Sequence, residues 1–95
     1  MSKPGQIIWQ QIPVMTKMAC GARQAVLTHE GKGVQFRVTN KPMRYVEVVL
    51  DEGADLYNVT HGRVKRGSYE HVIMETANGV FAEDLGEVIY HMVNK

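Results

Sequence analysis

Residues 44–64 read RYVEVVLDEGADLYNVTHGRV, and the fold turns on how that stretch is paired. Val46, Val48 and Leu50 alternate with Tyr45, Glu47 and Val49, and Tyr57, Val59 and His61 alternate with Leu56, Asn58 and Thr60. A period of two in branched and aromatic residues marks two strands with one face buried. Between them Asp51, Glu52, Gly53 and Ala54 supply turn chemistry, with Gly53 able to take a positive φ. The stretch is expected to be an antiparallel hairpin at the centre of a small sheet. It contains no recognisable reaction site.

On the N-terminal side, Gln24–Val38 reads as a second hairpin. Ala25, Val26 and Leu27 lead into His29-Glu30-Gly31-Lys32-Gly33, and Val34, Phe36 and Val38 then share a face opposite Gln35 and Arg37. Thr39-Asn40-Lys41-Pro42 turns the chain into the central hairpin. Residues 1–5 are expected to be a flexible lead. Residues 6–12 have helical spacing, with Ile8 and Ile12 four apart and Ile7 and Trp9 widening the stripe, and Pro13 should end that helix. Val14–Ala22 fits either a second helical piece or a first strand with Met18 and Cys20 inward; an irregular or extended segment is expected.

On the C-terminal side, Lys65-Arg66-Gly67-Ser68 reads as a turn and Tyr69–Thr76 as the last strand, with Val72 and Met74 opposite Tyr69, His71 and Ile73. Asn78-Gly79 is a turn signal. From Ala82 to Val93 the period becomes helical: Phe81, Leu85, Val88, Ile89 and Met92 form one stripe, and Glu83, Asp84 and Glu87 crowd the first half, where the helix dipole favours negative charge. Gly86 lies inside this helix, where it would let the helix approach the sheet closely. The sum is a single two-layer α+β domain. Residues 24–76 form an antiparallel meander of four to five strands, with a short N-terminal helix and the 82–93 helix packed on one face.

Ninety-five residues make one domain, and 44% hydrophobic with 22% charged residues argues against a disordered chain. A lone cysteine, Cys20, cannot form an internal disulfide, which fits a reducing compartment. Apolar runs fall well short of the ~20 residues of a spanning helix, and Pro4-Gly5-Gln6 interrupts any signal-peptide core. A soluble cytoplasmic protein is expected. Charge is lopsided: Lys3, Lys17, Arg23, Lys32, Arg37, Lys41 and Arg44 face Glu30 alone in residues 1–44, whereas nine carboxylates outnumber Arg63, Lys65, Arg66 and Lys95 in the remainder. Such a chain folds into a dipolar surface, or interleaves its halves and cancels them.

From Met18 onward the sequence resembles a group of short uncharacterised proteins encoded by phages, prophages and related mobile elements. The likeness rests on Met18-Ala19-Cys20-Gly21-Ala22, Phe36-Arg37, Val48-Val49-Leu50-Asp51, Asp55-Leu56-Tyr57-Asn58-Val59 and Gly79-Val80-Phe81-Ala82-Glu83-Asp84-Leu85, the last with Phe for the group's Tyr and one extra acid. It implies a mobile-element origin and the same α+β order. It implies no activity, cofactor or site residue.

His29, His61, His71 and His91 are the candidates for metal or acid–base work at neutral pH. None has a zinc-site spacing to another ligand, although His61 and His71 could meet on adjacent strands; surface or edge histidines are the commoner outcome. Lys17 and Arg23 near Cys20 would favour a thiolate, but no base is placed beside it, and a buried inert cysteine is the expectation. Glu83, Asp84 and Glu87 read as a solvated first turn, and Gly31-Lys32-Gly33 and Arg66-Gly67-Ser68 as hairpin turns without phosphate-loop spacing.

Two binding readings remain. The first is a small non-enzymatic protein-binding module. It would act through a sheet edge or helix face on an unknown protein partner, a host factor if the resemblance holds, with Trp9, Tyr57 and Tyr69 as candidate contacts. Trp9 equally fits packing against the sheet, and the open edges admit a homodimer. The second is a nucleic-acid-binding module using Arg37, Arg44, Arg63, Lys65 and Arg66, with Tyr57 and Tyr69 on the strands that flank the basic turn. No catalytic residue, metal or cofactor is expected, and an enzyme ranks last.

Overall fold

The central hairpin forms in unbroken register in the computed structural model, which describes residues 3–39, 41–68 and 70–94. Strand β3 (Arg44–Asp51) pairs with β4 (Leu56–Val64) from Arg44 opposite Arg63 to Asp51 opposite Leu56. The Asp51 carboxylate closes the turn by accepting the N–H groups of Gly53 and Ala54 at 3.1 and 3.4 Å. The left-handed residue is Asp55 (φ 55°) rather than Gly53, a position that a short polar side chain tolerates.

Around this hairpin the sheet grows outward in chain order. β1 (Ala22–Thr28), β2 (Gly33–Val38), β3, β4 and β5 (His71–Val80) lie as a five-stranded antiparallel meander. The register places Val34, Phe36 and Val38 beside Val46 and Val48, and those beside Val59, all buried on one face. That face is covered by α1 (Pro4–Gln11), α2 (Val14–Cys20) and α3 (Leu85–Val93), which contribute Ile8, Ile12, Cys20, Leu85, Ile89 and Val93 to the same core. Each of the larger aliphatic side chains stabilises the fold by about 1.5–3 kcal/mol relative to exposure. Among the described residues no helix is long and apolar enough to cross a membrane.

Several boundaries differ from the sequence expectation. Val14–Cys20 is a helix, not an extended segment: Pro13 sits extended at its N-terminus, its carbonyl accepts the Lys17 N–H at 3.0 Å, and Gly21 ends it in the left-handed conformation (φ 64°). Within it Cys20 points into the core while Met18 stays exposed, so the two do not alternate inward. Pro4 and Gly5 open α1 instead of belonging to a lead, and the buried Gly5 lies against the Gly33 carbonyl. The last strand does not stop at Thr76. Asn78-Gly79 continues it, because the Gly79 N–H bonds the Asn58 side chain at 3.3 Å and its left-handed backbone (φ 69°) fits the register shift opposite Tyr57–Val59. Phe81, placed in the apolar stripe by spacing, is exposed at the end of that strand. Gly86 does allow a close approach, but of α2: a Cβ there would lie 2.8 Å from the Pro13 ring.

Candidate nucleic-acid interface

In an antiparallel meander, the starts of the odd strands and the ends of the even strands share one end of the sheet. Arg23 in β1, Arg37 in β2, Arg44 in β3 and Arg63 in β4 all lie there. So do the two turns that follow β2 and β4, which carry Lys41 and Lys65-Arg66. Glu70 is the one acid in these segments among the described residues. The five basic residues singled out in the sequence thus share one end of the sheet, and Arg23 joins them through register; Arg23 and Arg37 lie on the open face, Arg44 and Arg63 on the helix-covered face.

The register does more than collect these side chains. Arg23 stands opposite Arg37, and Arg44 stands opposite Arg63. The Val64 N–H donates to the Met43 carbonyl at 2.8 Å, which makes Arg44 and Arg63 a non-hydrogen-bonded pair, the type that brings facing side chains closest. Like charges placed so are destabilising. Arg37 donates to the Gln24 amide oxygen at 3.3 Å. Three ion pairs lie elsewhere: His29 with Glu47, Lys32 with Glu52 and His91 with Glu87. Arg23, Arg37, Arg63, Lys65 and Arg66 are exposed and Arg44 is half-buried.

The far end of the sheet has the opposite sign. Asp51, Glu52 and Asp55 fill the β3–β4 turn, Glu30 the β1–β2 turn, and Glu83 and Asp84 follow β5, against Lys3 and Lys32. Lys32 is held by Glu52 at 3.0 Å, and the carboxylate pushes the ammonium pKa up. Of the two outcomes open to the lopsided sequence, the fold takes the dipolar one.

Tyr57 does lie on β4, the strand that leads into the basic turn, but far from that turn. It lies at the acidic end of β4, opposite Leu50, where its hydroxyl donates to Gln11 at 2.9 Å. Tyr69 lies outside the described residues. The aromatic group beside the arginines is one that the sequence did not single out: Tyr45, opposite Arg37 on the open face of the sheet. Its ring covers Gly62 and stacks on the exposed His71 ring at 4.7 Å. Burial, with help from Glu47, pushes the Tyr45 phenol pKa up.

The remaining candidates stay apart. His61 is buried opposite Glu75 and His71 is exposed opposite Val64, so the two histidines do not form a pair. Among the described residues, no three His, Cys, Asp or Glu side chains are placed to hold a metal ion. Cys20 is buried, and that burial raises its thiol pKa against a weaker opposing effect of the Asn94 amide. Trp9 packs on Phe36 (ring centroids 5.1 Å apart) with the Lys17 ammonium 4.2 Å from its ring. It lines a groove of about 420 Å³ between α1 and the edge strand β1, with Val26, Leu27 and Val34. Comparisons with protein-family models, with curated proteins and with solved structures give no match for this chain.

Proposed function

We propose that this chain is a small non-enzymatic binding module that holds a polyanion, nucleic acid, on the basic end of its sheet. One observation carries the reading: at that end Arg23 stands opposite Arg37 on the open face of the sheet and Arg44 opposite Arg63 on the helix-covered face, and none of the three ion pairs named above involves these four arginines. A fold gains nothing from such pairs, whereas a phosphate backbone laid across them does. Phosphate contacts position a ligand without reading its sequence, and the exposed His71 ring against Tyr45 offers one stacking surface beside Arg37 on the open face.

Binding of a fluorescent oligonucleotide, followed by anisotropy over a range of salt, tests this. Affinity should fall steeply with salt, by a log–log slope of about 0.7 to 0.9 per phosphate neutralised. The double substitution Arg44→Glu with Arg63→Glu should remove it. An absence of binding at low salt ends the proposal. The reading as a protein-binding module draws on the exposed apolar side chains of the β1 edge, Val26 and Leu27.

A further inference from the structure

β1 and β5 are the two edges of the sheet, and they are not equally defended. β5 carries two register irregularities against β4. Glu75 lies in the middle of β5, and Glu87 of α3 lies close beside it. A second β5 pairing about that midpoint would bring two Glu75 side chains together. β1 has one irregularity, between Arg23 and Val26, and Ala25-Val26-Leu27-Thr28 carries no charge. Val26 is 56% and Leu27 40% exposed. Native edges are normally blunted by charge, proline, a bulge or a short strand; over Ala25–Thr28 this edge is short but carries neither charge nor proline, and its one irregularity lies at the Arg23 end.

We propose that β1 pairs with β1 of a second copy of the chain, antiparallel, about a two-fold axis near Val26. The charge layout selects this occupant. An antiparallel pair sets the basic end of one copy against the acidic end of the other, and about Val26 it brings Arg23 of each copy next to His29 and Glu30 of the partner. On the helix side, Leu27 of each copy closes the groove beside Trp9 of the other. The product is one ten-stranded sheet with a continuous helical layer. Its two basic ends point away from each other; Arg23 meets the partner, while Arg37, Arg44 and Arg63 remain open to the polyanion. An isologous contact of this kind closes at two chains.

Light scattering and sedimentation on the whole chain test the assembly up to about 100 µM. The expected result is a two-chain mass. Val26→Lys, at an exposed position, should give a one-chain mass with an unchanged circular dichroism spectrum. Glu30→Arg should weaken self-association by about tenfold or more through like-charge contact with the partner's arginine. The double variant Arg23→Glu with Glu30→Arg should restore it. A one-chain mass for the natural protein over the whole range overturns the proposal. So does a dimer that survives Val26→Lys, or one that Ile73→Lys on β5 dissociates instead.

Discussion

Arg44 and Arg63 stand directly opposite each other on β3 and β4, and the bond from the Val64 N–H to the Met43 carbonyl, 2.8 Å long, fixes them as a close-facing pair. This contact opposes folding. Arg63→Thr, which keeps a branched side chain suited to a strand, should therefore stabilise the protein by about 0.2–1 kcal/mol. The gain should shrink as salt screens the repulsion. Urea denaturation at two ionic strengths measures both effects. A variant that gains stability while losing oligonucleotide affinity would separate the needs of the fold from those of the ligand.

Tyr45 is buried on the face of the sheet that no helix covers, because it lies over a glycine. A Cβ on Gly62 would meet the Tyr45 hydroxyl and ring carbons at 2.5–2.7 Å. Gly62→Ala should cost about 1–3 kcal/mol by lifting the ring. With Tyr45→Ala already made, the same change should cost clearly less, and a double-mutant cycle reads the difference.

Leu85 and Phe81 are four residues apart and belong to one stripe in the sequence, yet Leu85 is fully buried and Phe81 is 57% exposed. Leu85→Ala should cost about 2–5 kcal/mol, and Phe81→Ala no more than about 0.5 kcal/mol. Denaturation midpoints at matched m-values compare them. Equal losses would mean that Phe81 is packed.

Cys20, Tyr45 and Tyr57 all have pKa values raised, chiefly by burial. The folded chain therefore keeps these protons when the unfolded chain has begun to lose them. Their contribution is fully present below the unfolded thiol value of about 8.5 and is lost as pH rises through the folded values. Stability should fall as pH rises above about 8.5, where the thiol contribution is lost first and the tyrosine contributions follow above about 10, and less steeply in Cys20→Ala. A thiol reagent should label Cys20 at a rate set by unfolding; immediate labelling would place the sulfur at the surface.

The meander was legible because alternation and turn residues agree along residues 24–64, and the α3 stripe because Leu85, Ile89 and Met92 repeat at helical spacing. The helix at Val14–Cys20 was one of two readings: Val14, Met15 and Met18 have helical spacing, but that apolar stripe is exposed and so is not what packs the segment. What decides it is the Pro13 carbonyl and the Gly21 cap. Five of the basic residues were visible as candidates, but their gathering at one end depends on register, as does the recruitment of Arg23 and Tyr45. Tyr57 shares a strand with Arg63 but sits at the strand's other end.

The central claim is that a polyanion lies across the arginine pairs at one end of the sheet. Titrating a short oligonucleotide into isotope-labelled protein at low salt and following the backbone amide shifts locates it directly. The account requires the perturbed amides to cluster at Arg37, Arg44–Tyr45 and Arg63–Arg66, with Glu52–Asp55 unmoved. Shifts centred on Trp9 and Ala25–Leu27, or none at all, would contradict it.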